Sequence, residues 1–164
     1  MQPFIESSRI WSYVTLSDIL AQDAVLAHVK AKSKKQLLTE LADLAADQTG
    51  LDKNAVIDAL IERERLGTTG IGYGVALPHT RLAKLKKIFC AFARTEPIDF
   101  ESVDNKPVDL VFLLLVPEDA GADHLKALAK LSRILRNEPA VVELREGKTA
   151  KDLYKTIVKY DAED

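Results

Sequence analysis

The chain has 164 residues, 47% of them hydrophobic and 29% charged, which is enough apolar material for one well-filled core. A formal net charge of −2 offers nothing to nucleic acid or an anionic membrane, and the single cysteine, Cys90, cannot close an internal disulfide. The N-terminus lacks the basic-then-apolar pattern of a signal peptide, and the longest apolar run, Leu110 to Val116, is far too short to cross a bilayer, so a soluble cytoplasmic protein is expected.

Residues 1–14 (MQPFIESSRIWSYV) show no hydrophobic period and read as an N-terminal arm, with Trp11 as its anchor, ahead of a domain spanning 15–160. Ser17 to Leu20 makes one helical turn, and Ala24 to Val29 is a short strand in which His28 has a structural role. Ser33-x-x-Gln36 is a capping box opening a helix whose apolar stripe is Leu37, Leu38, Leu41, Leu44 and Ala45, ending near Gly50. A second helix has Asp52 as N-cap and Val56, Ile57, Leu60 and Ile61 as its buried face, with Gly67 expected as a left-handed residue just past its end. Its last turn, Glu62-Arg63-Glu64-Arg65, reads as a solvated charged face, except for one arginine aimed at the segment that follows.

That segment runs Gly67-Thr68-Thr69-Gly70-Ile71-Gly72-Tyr73-Gly74-Val75-Ala76-Leu77-Pro78-His79-Thr80-Arg81. Four glycines in eight positions allow positive φ and close approach to a ligand, and they lead into an apolar strand, Val75 to Leu77. Pro78 locks its own φ and holds Leu77 extended, so His79 is presented from a stiff strand end. Two further strands follow. Ile88 to Arg94 encloses Cys90 as a buried, inert thiol, and Val108 to Val116 is apolar on both faces, as expected of a central strand covered by helices on either side. Asp123 then caps a helix striped by Leu125, Leu128, Ala129, Ser132 and Leu135, which Asn137-Glu138-Pro139 breaks. A short helical piece from Ala140 to Arg145 precedes Thr149-x-x-Asp152, a capping box for a terminal helix on Leu153, Tyr154, Ile157 and Val158. The interleaving gives an α/β fold, a single domain with a mixed β-sheet flanked by helices on both faces.

A neutral imidazole is a good nucleophile at neutral pH and, once protonated, a good leaving group, so His79 is a candidate phosphoryl acceptor. Backbone N–H groups at Gly70, Gly72 and Gly74, with Thr80 beside the histidine, form a candidate phosphate-binding loop. His124 sits at the positive end of a helix, where a neutral N–H donor suits an anion. Arg63 and Arg81 are candidate forks for phosphoryl oxygens, and spacing does not choose between them. Other chemistries fail on inspection. Val75 stands where a dinucleotide fingerprint needs its third glycine, no Gly-Lys-Ser/Thr follows, and no G-x-S-x-G is present. Three scattered histidines without metal-ligand spacing predict no metal site, and no cofactor is expected.

The run from Arg63 to His79, the stretch Asp104-Asn105-Lys106-Pro107-Val108-Asp109-Leu110 leading to Leu115-Val116-Pro117, and His124-Leu125-x-x-Leu128-Ala129-x-Leu131-Ser132 together resemble a known family. It comprises the enzyme IIA components of the bacterial phosphoenolpyruvate-dependent phosphotransferase system, mannitol/fructose type, and within it the nitrogen-regulatory branch. The resemblance covers about residues 15–160. It implies the mannitol-type fold, His79 accepting a phosphoryl group through Nε2 from an HPr-like phosphocarrier protein, His124 stabilising the phosphorylated state, and Arg63 facing the phosphoryl group. Sugar-transporting relatives often carry a carboxylate six residues before the acceptor, where this chain has Tyr73, which favours the regulatory branch. The implied function is a phosphohistidine carrier that regulates partner proteins according to its phosphorylation state. The alternative is a sugar-specific IIA that passes phosphate to a IIB transporter component.

Overall fold

The computed structural model describes residues 15–162, so the arm and Trp11 lie outside the described residues. A one-turn helix α1 (Leu16–Ile19) leads directly into β1 (Leu20–Val29), and α2 (Lys34–Thr49) and α3 (Lys53–Leu66) follow. Three short strands, β2 (Gly70–Gly72), β3 (Val75–Ala76) and β4 (His79–Leu82), precede the long pair β5 (Phe89–Ile98) and β6 (Val108–Pro117). Helices α4 (Asp123–Leu135), α5 (Glu138–Glu146) and α6 (Ala150–Ala162) close the chain.

The helix boundaries follow local chemistry. Ser33 accepts the Gln36 amide at the start of α2, and Gly50 ends it in the left-handed region at φ 78°. Asp52 accepts the Ala55 amide at the start of α3. Gly67 is not the left-handed residue the pattern predicts. At φ 157° and ψ 144° it takes another glycine-favoured conformation, and side chains of the last turn of α3 bond the chain on either side of Thr68: Arg63 donates to the Gly67 carbonyl and Glu64 accepts the Thr69 amide. Asn137, expected only to break a helix, also caps α5 by accepting the Ala140 amide. Thr149 and Asp152 bond reciprocally at the start of α6, as the capping box predicts.

The six strands form one mixed sheet in the order β1-β5-β6-β3-β2, with β4 also paired to β6. Every residue of β6 from Leu110 to Val116 is buried, and this strand pairs directly with β3, β4 and β5. It runs antiparallel to β5 and parallel to both β3 and β4. Helices α2 and α3 pack together as one group and α4, α5 and α6 as another, which gives the sheet its cover on both faces. Among the described residues no helix is long and apolar enough to cross a membrane.

Helix α4 turns a different face inward from the one its spacing suggests. Ala127, Leu131, Ile134 and Leu135 are buried, whereas Leu125 is 59% exposed. Ala122, not Asp123, occupies the N-cap, and the inward face is the one that packs on α5, α6 and β6. Arg94, on β5, is a structural residue the hydrophobic pattern does not mark. Its guanidinium donates to the carbonyls of Ala27, Leu144, Arg145 and Gly147, tying β1 to the C-terminal end of α5. Replacing it strands several carbonyls in a part-buried place, so Arg94→Met is expected to cost about 3 kcal/mol of unfolding free energy. Urea denaturation checks this, and a loss below about 1 kcal/mol would show the carbonyls to be satisfied without it.

Candidate functional site

His79 is the first residue of β4, and its placement begins with a break in a strand. Val75 and Ala76 pair with Leu110 and Val111 of β6, and His79 resumes the same parallel pairing opposite Leu114. The three residues from Ala76 to His79 match the three from Val111 to Leu114, so register survives the interruption. Pro78, without an N–H, carries the chain across it, and its carbonyl still accepts the Leu114 amide at 3.0 Å. The break frees the Leu77 carbonyl, which takes the Nδ1–H of His79 at 2.9 Å. With Nδ1 protonated, the neutral ring presents its lone pair at Nε2, and Nε2 makes no hydrogen bond among the described residues.

The ring is half-buried, and its pKa lies below the ordinary 6.5. Burial is the main cause; the Leu77 hydrogen bond raises the pKa, the Arg63 guanidinium lowers it, Glu64 raises it and His124 lowers it. These neighbours come from two helices whose ends converge on β4. Arg63 and Glu64 lie in the last turn of α3, and His124 lies in the first turn of α4. Arg63 Nη1 donates to the Gly67 carbonyl at 2.9 Å, which anchors the guanidinium by one edge.

His124 Nδ1 meets the Gly121 carbonyl at 2.6 Å, and both its ring nitrogens lie 3.3 to 3.4 Å from Arg81 Nη2. With Nδ1–H given to Gly121, His124 Nε2 is an acceptor facing Arg81. Donation to an anion then requires a second proton on the ring or its release from Gly121. Arg81 spends its other terminal nitrogen on the carbonyls of Glu118 and Ala120, both at 2.9 Å. It shares a strand face with His79, two residues away, but its observed partners are the β6–α4 loop and His124. Thr80, between them, is turned by strand alternation to the opposite face.

The glycine segment folds into a hairpin instead of a loose loop. β2 and β3 pair antiparallel around Tyr73 (φ 59°) and Gly74 (φ 80°), the positive angles a two-residue hairpin turn requires. A Cβ at Gly70 would collide with Ser102, and one at Gly74 with Arg145, so close packing within the protein uses the space these glycines leave. Gly74 accepts the Asp109 and Leu110 amides at 3.0 and 3.2 Å, which places it at the opposite end of β6 from His79. Four strand residues separate the Leu110 and Leu114 registers, about 13 Å at strand rise. Gly72 shares that far end, with its Cβ direction towards Val103 and Asp104. Tyr73, 87% exposed at the tip, gives its carbonyl to Arg145 and its amide to Asp104.

Sequence spacing passed over Glu64. Its side chain is 6% exposed, where a solvated one was expected. It accepts the Thr69 amide at 3.0 Å and the Thr69 hydroxyl, and pairs with Lys34 of α2 at 2.9 Å. The available signal was its position: one residue after Arg63, and five before a threonine across the Gly67 break. His28 is exposed on β1 with Nε2 at 3.1 Å from the Lys148 carbonyl, consistent with its structural reading. Cys90 is fully buried, with its thiol pKa pushed up by that burial. Among the described residues no group of three or more His, Cys, Asp or Glu side chains is placed to hold a metal ion.

Comparison with known proteins places this arrangement. Residues 18–160 match the family model described as "Phosphoenolpyruvate-dependent sugar phosphotransferase system, EIIA 2". A protein of Bradyrhizobium diazoefficiens named "Nitrogen regulatory protein" is 54% identical over 143 residues, covering 87% of this chain and 94% of that one. The crystal structure of nitrogen regulatory protein IIA-Ntr from Neisseria meningitidis superimposes with a TM-score of 0.83 at 36% identity, covering 87% of this chain and 98% of that one. The IIA mannitol structure from Escherichia coli, at 18% identity and a TM-score of 0.70 over 84% of this chain and 97% of that one, shares the fold. A family match across nearly all the described residues, joined to a relative more than half identical, means that this chain belongs to the EIIA type-2 family of the phosphotransferase system, among relatives named nitrogen regulatory proteins.

Proposed function

We propose that this protein is a cytoplasmic phosphohistidine carrier and regulator, accepting a phosphoryl group on His79 Nε2 from an HPr-like phosphocarrier and binding or releasing partner proteins according to that state. The observation that carries the reading is the hydrogen bond from His79 Nδ1 to the Leu77 carbonyl, which leaves Nε2 as the lone pair on a half-buried, neutral ring. Nε2 attacks the donor's phosphorus, the donor's P–N bond breaks, and its imidazole leaves with the bonding pair. One P–N bond replaces another, so the step needs positioning and charge stabilisation more than strong covalent assistance. Arg63 supplies charge at the transferring group. The N-terminus of α4 adds to it: Ala122 provides no side-chain cap, and although the Leu125 amide bonds the Ala122 carbonyl, the Asp123 and His124 amides make no hydrogen bond among the described residues and face an anion freely. Phosphorylation then adds roughly −2 charge to a face bearing the exposed Leu125, enough to change what docks there.

Incubation with a phosphorylated HPr-like donor should give an acid-labile, alkali-stable label that His79→Ala abolishes; label surviving that substitution ends the proposal. A subsequent chase with IIB protein separates the regulatory reading, in which label stays, from the sugar-specific one, in which it moves to the IIB. Arg63→Ala should slow transfer by about 10²-fold while leaving the melting temperature near that of the wild type. His124→Ala should slow transfer or shorten the lifetime of the label, and unchanged values for both would reduce it to a structural residue.

The pH dependence has a definite sign. Only the neutral ring attacks, and its pKa is held below 6.5, so the initial rate with limiting donor should fall with acidification about a midpoint below that value. A midpoint at or above that value for the His79-dependent rate contradicts the desolvated ring.

A further inference from the structure

We infer that Glu64 is a positioning residue that holds His79 in its Nδ1–H tautomer through Thr69 and the Leu77 peptide. The contacts are continuous. Lys34 Nζ lies 2.9 Å from the Glu64 carboxylate, which accepts both the amide and the hydroxyl of Thr69. The Thr69 carbonyl accepts the Leu77 amide at 3.0 Å, and the Leu77 carbonyl accepts His79 Nδ1–H at 2.9 Å. Thr69 is only 3% exposed, so water offers its backbone no ready substitute for these partners.

The geometry explains why a carboxylate sits at the end of a helix that a solvated side chain could have finished as well. An unconstrained imidazole is a mixture of two neutral tautomers, and only one presents Nε2 as the lone pair. The Leu77 carbonyl selects that one, and its direction is fixed by two restraints: Pro78 on the C-terminal side, and the Leu77 amide bonded to Thr69 on the other. Thr69 is in turn clamped by Glu64, with Lys34 also reaching Glu101 at 3.6 Å and lying over the Phe100 ring at 4.7 Å. The charge of Glu64 acts as well as its shape. Around His79 stand Arg63 and Glu64 from α3 and His124 from α4, with Arg81 beyond them against His124, and Glu64 is the anion of that set.

The inference rests on the acceptor reading of His79 for its kinetic arm alone. The test uses the full chain with ring-15N histidine, reading tautomer and titration midpoint of His79 by NMR beside the rate of transfer from a phosphorylated HPr-like donor. Wild type should show the Nδ1–H tautomer. Glu64→Gln keeps an acceptor for the Thr69 amide but removes the anion, so the tautomer should persist while the His79 midpoint falls. Glu64→Ala should give a mixture of tautomers and transfer slower by about tenfold, since general positioning is lost while the nucleophile remains. A purely structural carboxylate would lower the melting temperature without moving either ring signal. An unchanged tautomer in Glu64→Ala overturns the inference; if the alanine variant does not fold, Glu64→Met, of similar volume and without an acceptor for Thr69, decides by the same tautomer measurement. A wild-type protein that takes no phosphate sinks the acceptor reading and leaves the tautomer measurement intact, so the two failures are distinguishable.

Discussion

The site depends on one hydrogen bond, from His79 Nδ1–H to the carbonyl two residues earlier. In energy it is modest, about 1 kcal/mol net, a small part of what keeps a domain folded. Its importance lies in what it discriminates. Two imidazole tautomers differ little in free energy, and about 1.4 kcal/mol is a tenfold ratio, so a single well-directed acceptor is enough to choose between them. The carbonyl is available because Pro78 interrupts the pairing of β3 and β4 with β6 while the register on either side continues. The break in the strand therefore leaves Nε2 as the free lone pair of the His79 ring.

Around that bond the protein sets opposing influences. Partial burial and two neighbouring cationic or ring groups favour the neutral imidazole, and a carboxylate and a carbonyl favour the protonated one. Burial prevails, which leaves a free base near neutral pH. The same half-burial keeps Nε2 reachable, because helices α3 and α4 meet β4 with their ends instead of covering it with their sides. A helix side would have sealed the ring; a helix end brings short, directed groups and exposed backbone amides.

Much of the fold is readable from the sequence because it rests on local rules. The Ser33, Asp52 and Thr149 caps, the doubly apolar β6 and the Pro78-His79 step all follow from one or a few neighbouring residues. The misread features are those decided by distant partners. Glu64 looks solvated until Thr69 and Lys34 arrive to desolvate it, and Arg94 looks like an ordinary strand residue until α5 offers its terminal carbonyls. The inward face of α4 depends on its packing against α5, α6 and β6, and the Ala122 cap carries no side-chain signal. Arg81 and Arg63 are alike by spacing; the difference is that loop carbonyls and a second imidazole engage Arg81.

The glycine segment serves packing needs that its local pattern does not announce. Its glycines were needed, but by the protein itself: Gly70 admits Ser102 and Gly74 admits Arg145, and Arg145 also pairs with Asp109 at 2.9 Å to fasten the hairpin tip. This bears on Tyr73, six residues before His79. In this chain that position is the hairpin tip, held beside Asp109 at the end of β6 remote from Leu114 and His79, about 16 Å by strand rise. A side chain there is 87% exposed and faces whatever approaches the hairpin. Tyr73 therefore shapes a surface at the hairpin tip and is not one of the groups gathered around the His79 ring.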